Sequence, residues 1–212
     1  MHFTSSAGSS SSTHDFAAAN KTHFDARATA AHGDDPHDSP AHPENTERAR
    51  RTVNAMRQWW PELFDEDRTE AMDYACGLLC QHVKSVLGVD ISQAAVDRYN
   101  ARASDQGLAP DEVRAVCAEL TLTGTPAELA RASFDLIVCC ASYHHFPSIA
   151  DTTRVLAAHL APGGALLVAD VLAAPDGREI FPRRTTTFAF AARMRATGES
   201  TRWFIAKGLK GS

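Results

Sequence analysis

The chain lacks a long apolar run and a surplus of positive charge, and each lack excludes a class of function. Nothing approaches the ~18 consecutive apolar residues that a membrane-spanning helix needs, so no membrane partner is expected. Lys and Arg number 21 against 26 Asp and Glu, a formal charge of −5 over 212 residues. A protein that binds nucleic-acid phosphates needs a basic face, so no nucleic-acid partner is expected either. Cysteine is scarce, at five residues, and never spaced as Cys-x-x-Cys. Cys76, Cys117, Cys139 and Cys140 lie in or beside apolar runs, the usage of reduced thiols in a cytoplasmic protein. Cys76 and Cys80 with His82 have no second ligand pair at zinc spacing, and no metal is expected. The opening "MHFTSSAGSSSST" has neither a basic nor an apolar segment of the secretory kind, so no secretion signal is expected.

What is present falls into three stretches. Residues 1–13 are Ser-rich and of low complexity, the composition of a disordered tail. Residues 14–68 read as a helical cap. The pattern through Phe16, Ala19, Phe24 and Ala28 predicts short helices, and "AHGDDPHDSPAHPEN" predicts a loop. A helix then runs from an Asn45 cap with Ala49, Val53, Met56 and Trp60 on one face. From residue 69 to 212 strands and helices alternate, which predicts an α/β domain with a mostly parallel sheet. "EAMDYA", "SVLGVDI", "VRAVCAEL", "FDLIVCCAS" and "ALLVADVL" are its strands. "SQAAVDRYNARASDQG" is a helix capped by Ser92 with Gly107 past its end. "TPAELARA" and "ADTTRVLAAHL" are further helices, the latter stopped by "APGG". "TTFAFAARMRAT" and "STRWFIAKG" form a closing antiparallel hairpin.

One stretch conflicts with this pattern. Between Gly77 and Ser85, "DYACGLLCQHVKSVLGVD" leaves residues 78–84 for a turn, a helix and a second turn. A parallel crossover normally takes at least ~10–12 residues. Either strands one and two are not neighbours, or part of the usual connection is missing. Residues 173–185, which lead from strand five to the hairpin, are also few. Their shortness predicts that one face of strands four and five is poorly covered and exposes apolar surface.

Taken in order, "AMDYACG", "VLGVDIS", "VCAEL", "FDLIVCCASYHHF" and "LAPGGALLVADVL" resemble a class I S-adenosylmethionine-dependent methyltransferase of the small-molecule, quinone-biosynthesis-like group. The resemblance implies a Rossmann-like doubly wound sheet, S-adenosyl-L-methionine as cofactor and a small-molecule acceptor with an oxygen, nitrogen or carbon nucleophile. The family's first turn follows Asp/Glu-x-Gly-x-Gly-x-Gly; Asp73 matches the acid, Ala75 stands at the first glycine, Gly77 at the second and Leu79 at the third. Asp90, with Ile91 after it, matches the acid that binds the ribose hydroxyls. Ala118 stands where an acid faces adenine, with Glu119 one step along. Cys140, Ala141, Tyr143 and His144 would lie nearest the reacting methyl group, with His144 and Tyr143 as catalytic candidates and His145 as a structural histidine. The helical cap would cover the site.

The short glycine turn and Leu79 predict a cofactor site intact in its ribose half and impaired in its methionine half. They also favour, as the alternative, a non-catalytic binding protein of methyltransferase ancestry. A nicotinamide-dependent oxidoreductase is the weaker alternative, because no Gly-x-Gly-x-x-Gly follows strand one.

Overall fold

The computed structural model describes residues 18–22, 24–26, 43–74, 82–121, 124, 126–130, 133–171, 186–190, 195–196, 199–200 and 203–211. Five parallel strands carry the fold: β1 (Glu70–Tyr74), β2 (Ser85–Asp90), β3 (Val113–Cys117), β4 (Phe134–Cys140) and β5 (Leu160–Val171). β6 (Thr186–Phe190) and β9 (Trp203–Leu209) complete a seven-stranded sheet of order β3-β2-β1-β4-β5-β9-β6. β9 runs antiparallel to both β5 and β6. A small antiparallel pair, β7 (Arg195–Ala196) with β8 (Glu199–Ser200), lies between β6 and β9 in sequence. The parallel sheet with its antiparallel closing pair is as the sequence predicts.

β1 and β2 are true neighbours, paired in parallel from Glu70↔Ser85 to Tyr74↔Val89. The connection is therefore residues 75–84 and no longer. Residues 75–81, which carry Ala75, Cys76, Gly77, Leu79 and Cys80, lie outside the described residues.

Alternation along the strands divides the core into two layers. Ala71, Leu136, Val138, Ala165 and Leu167 face one layer, and helix α1 (Pro43–Trp59) covers it with Val53 and Met56, with Trp60 just past its end. Met72, Ile137, Cys139, Leu166 and Val168 face the other, where Leu156 of helix α3 (Ile149–Ala158) and Tyr143 pack. Trp59 and Trp60 meet edge to face at 5.8 Å between centroids, within the packing of the first layer. Lys207 of β9 lies 5.5 Å from the Trp60 ring centroid and bonds Glu62, which ties this region to the far side of the sheet.

Helix α2 (Gln93–Asp105) follows its expected signals at both ends. The Ser92 hydroxyl accepts from the Ala95 N–H, and Gly107 takes φ +76°. Gly107 N–H donates to Ser104 O and Leu108 N–H to Ala103 O, the paired closure that a left-handed glycine makes available.

Four expectations are corrected. Helix α1 begins at Pro43 rather than after an Asn45 cap; proline suits a first helical position, where its missing N–H leaves nothing unbonded. "APGG" does not separate α3 from β5 but lies inside β5, which starts at Leu160. Gly163 turns with φ +79°, and a side chain at Gly164 would bring its Cβ to 2.9 Å from Phe134 O, so these glycines let an irregular strand pass close to β4. "TPAELARA" makes a single 3-10 turn, Ala127–Leu129, instead of a helix. The apolar faces of β4 and β5 are covered: Leu136, Ile137 and Val138 have no exposure, and Leu209 is the exposed large apolar side chain among the described residues. Residues 173–185 themselves lie outside the described residues, as do residues 1–13 and the His/Asp loop with His32, His37 and His42.

Candidate functional site

In an open α/β sheet, ligands bind beyond the carboxyl ends of the strands where the strand order reverses. Here that reversal lies between β1 and β4, with β2 and β3 on one side and β5 on the other. Asp73, near the end of β1, is 1% exposed and pairs with Gly88 of β2 and Val138 of β4. The parallel register brings the ends of β2 and β3 level, because Asp90 pairs with Cys117.

Asp90 ends β2 half-buried, with its Oδ1 accepting from the Ser92 N–H at 2.8 Å. Burial pushes its carboxyl above the usual range, while the Ser92 and Ile91 N–H groups pull in the opposite direction. Its backbone carbonyl accepts from Ala118 N–H at 2.9 Å, which brings the β3 turn beside the β2 tip. Ala118 is buried in the second core layer, whereas Glu119 is exposed. The Cys117 thiol donates to Ile91 O at 3.4 Å, a further tie between the two turns.

The tip of β4 bends sharply. Ala141 takes φ +53° and its N–H donates to Ala169 O of β5 at 2.8 Å. A left-handed alanine costs roughly 1–2 kcal/mol, and such strain gathers at functional sites. Beyond the bend the Ser142 hydroxyl donates back to Cys140 O, and a 3-10 turn of Tyr143–His145 follows. Tyr143 and His144 face different surroundings. Tyr143 is 1% exposed, shares a hydrogen bond with the Thr153 hydroxyl of α3 and packs against Phe146. Burial pushes its phenol well above the ordinary value, so it anchors the turn from within the core. His144 is outside, with 36% of its side chain exposed.

The residue that holds His144 was not singled out by the sequence reading. Asp170, near the end of β5 and 2% exposed, accepts from His144 Nδ1 at 2.8 Å and from the His144 backbone N–H at 3.2 Å. The Val171 N–H also donates to it, at 2.7 Å. An acid near the end of an otherwise apolar strand, with histidines at the neighbouring tip, was the available signal.

Two further residues were missed in the amino-terminal stretch. Residues 18–22 and 24–26 are helical and reach both strand tips. Asp25 accepts from the Ser92 hydroxyl at 2.6 Å, and Asn20 donates to His145 O at 2.8 Å. Phe24 meets the His145 ring edge-on at 5.3 Å between centroids. His145 is thus tied into this contact. The Lys21 ammonium bonds Asp25 and holds its carboxyl below the usual range, and the Ser92 hydroxyl adds to this lowering. Among the described residues no three His, Cys, Asp or Glu side chains gather as a metal site, and no helix is long and apolar enough to cross a membrane.

Residues 72–166 match the model of a methyltransferase domain, a segment that opens within β1 and closes within β5. Over those residues the chain is similar to methyltransferase domains, and the match covers just under half of its length. It is 34% identical over 112 residues to an uncharacterized methyltransferase of Schizosaccharomyces pombe, across 50% of this chain and 39% of that protein. The chain thus spans well under half the length of that relative. In fold it is similar to magnesium protoporphyrin IX methyltransferase from Synechocystis, solved with S-adenosylmethionine bound. The TM-score is 0.62 at 15% identity, over 98% of this chain and 100% of that one. It is likewise similar to the N-methyltransferase NodS of Bradyrhizobium japonicum in complex with S-adenosyl-L-homocysteine, with TM-score 0.59 and 13% identity over 91% and 98% of the two chains.

Proposed function

We propose that this chain binds S-adenosylmethionine at the carboxyl ends of β1, β2 and β4 and transfers its methyl group to a small-molecule acceptor. The observation that carries the reading is the state of Asp90. A carboxylate has about four acceptor sites, and backbone N–H groups of Ser92 and Ile91 take two. The remainder suits the two hydroxyl donors of a ribose, and burial makes those bonds worth more than in water. Ile91, Ala118 and Glu119 border the adenosine side, Asp73 the centre and Cys140 the methyl-donating end. Ala75 and Gly77 belong to the turn that would meet the methionine part. Of the 14–68 region, the described residues that reach this site are 18–22 and 24–26, and the contacts of Asn20, Phe24 and Asp25 with the β2 and β4 tips support a cap built from that segment.

The 75–84 connection favours a companion reading, in which affinity for the cofactor is low and turnover is slow or nil. The test is titration calorimetry with S-adenosylhomocysteine. Two charge-assisted hydrogen bonds, each worth roughly 1.5–3 kcal/mol, are at stake at Asp90. Asp90→Ala is expected to weaken binding at least tenfold. Binding within threefold of the parent would show that Asp90 does not hold the ribose.

A further inference from the structure

The pairing of His144 with Asp170 carries information about the acceptor. A carboxylate only accepts hydrogen bonds, so the 2.8 Å contact requires the proton on His144 Nδ1. In the neutral ring Nε2 then holds the lone pair, on the edge turned away from Asp170. Asp170 is itself fixed: it is buried and accepts from the His144 backbone N–H, the His144 ring and the Val171 N–H. A buried carboxylate bonded to Nδ1 does two things: it sets the tautomer, and it stabilises the imidazolium that forms if Nε2 takes a proton. The titratable groups that face His144 among the described residues are Asp170 from β5 and His145, whose ring lies 4.0 Å away. His145 is held by its contacts with Phe24 and Asn20, so the pair stays in one arrangement.

A methyl acceptor needs such a base only if its nucleophilic atom must lose a proton as it attacks. A neutral amine brings its own lone pair, and a carboxylate is ionised before it arrives. A hydroxyl group is neither. We propose that His144 is the base for a hydroxyl acceptor, a phenol or alcohol, and that Asp170 is the residue that positions it. The inference rests on the methyl-transfer reading above. The hydroxyl proton passes to Nε2 and the oxygen bonds the methyl carbon. The carbon–sulfur bond breaks with its electron pair kept by sulfur as a neutral thioether. The partly exposed imidazolium then returns its proton to water.

The first measurement is 15N NMR of the histidine rings at neutral pH, in the cofactor-free protein and with S-adenosylhomocysteine. The parent is expected to show His144 protonated at Nδ1 and bare at Nε2, and Asp170→Asn to lose that preference. A parent ring protonated at Nε2, or a tautomer unchanged in the variant, overturns the positioning role. The second measurement uses 4-nitrophenol as the hydroxyl probe with the S-adenosylhomocysteine complex. The parent is expected to ionise the bound phenol at a pH below that of free ionisation, seen as the yellow phenolate, and His144→Gln to abolish the shift. His144→Gln also covers the case that Asp170→Asn fails to fold. No shift in the parent, or one retained by His144→Gln, overturns the hydroxyl assignment. With S-adenosylmethionine as donor, either substitution is expected to lower methylation of this probe about 100-fold, the scale of general-base catalysis. If S-adenosylhomocysteine does not bind while the Nδ1-protonated ring is found, the methyl-transfer reading fails and the histidine geometry stands.

Discussion

A carboxylate taken partly out of water costs stability until something binds it, and Asp90 is placed to show that cost. Its folded pKa is raised above 3.8, chiefly by burial. The sign follows from proton linkage: a raised carboxyl contributes stability below its unfolded pKa and loses that contribution as pH rises through the folded value. At neutral pH the ionised Asp90 therefore destabilises the cofactor-free protein. Asp90→Asn keeps an oxygen for the Ser92 N–H and removes the charge. It is expected to raise the thermal midpoint of the cofactor-free protein at pH 7, by a margin that shrinks as the pH is lowered toward 4. It should also erase the stabilisation that S-adenosylhomocysteine gives the parent. A midpoint at or below the parent's across that range would show that burial is not the governing effect. Single residues also mark where the sequence was hard to read. Asp90 stood out because it ends an apolar strand in a known pattern. Asp170 lies within "LLVADVL", where one acid in an apolar run carries no partner in one dimension; only the pairing of β4 with β5 brings it to His144.

At the scale of elements, the edge of the sheet shows how a helix substitutes for a missing strand. Among the described residues β3 pairs with β2 on one side only, and its outer N–H and C=O groups have no ladder partner there. Asn100 of α2 meets this need with both ends of its amide, accepting from Ala115 N–H at 2.7 Å and donating to Ala115 O at 3.1 Å. Edge strands left open invite pairing with other chains. Removing the amide strips two partly buried backbone groups of their partners, at about 1–3 kcal/mol each. Asn100→Ala is expected to lower stability by about 2 kcal/mol in urea unfolding and to increase aggregation during refolding. A change under about 0.5 kcal/mol would mean that water serves Ala115 equally well. Strands and their order were legible because a buried parallel strand reads as a bounded apolar run, as "FDLIVCC" does. The short helices were less so. "TPAELARA" has helical composition yet makes one turn, since three or four residues of propensity cannot offset the cost of starting a helix. The 18–26 segment was read as helical and as part of a cap, but the residues it meets were not, because its contacts with Ser92 and His145 join residues 67 and 125 positions apart.

For the molecule as a whole, the decisive quantity is the length of chain available between β1 and β2. The parallel register sets Glu70 beside Ser85 and Tyr74 beside Val89, so the chain must travel back the full length of β1 before β2 begins. Five strand residues span about 13 Å. A helix rises ~1.5 Å per residue, so returning that distance as helix takes ~9 residues. Residues 75–84 supply ten, which leaves one for the turns at both ends. A glycine turn around the cofactor, a helix whose N–H groups point at the methionine carboxylate, and a second turn do not fit together in that span. The first core layer keeps its cover all the same, because α1 lays Val53 and Met56 over it. On the reading proposed above, a short connection is then expected to cost binding more than folding. Losing one or two hydrogen bonds to the cofactor costs about 1–3 kcal/mol each, hence roughly ten- to ten-thousand-fold in affinity. An insertion of six residues after Gly77, beginning Thr-Gly, restores room for both turns and the helix. It is expected to tighten S-adenosylhomocysteine binding at least tenfold in calorimetry while leaving the effect of Asp90→Ala unchanged, since the proposed ribose contact at Asp90 does not involve the lengthened turn. Equal micromolar binding by the parent and the lengthened chain would establish instead that the ten-residue connection is a working turn.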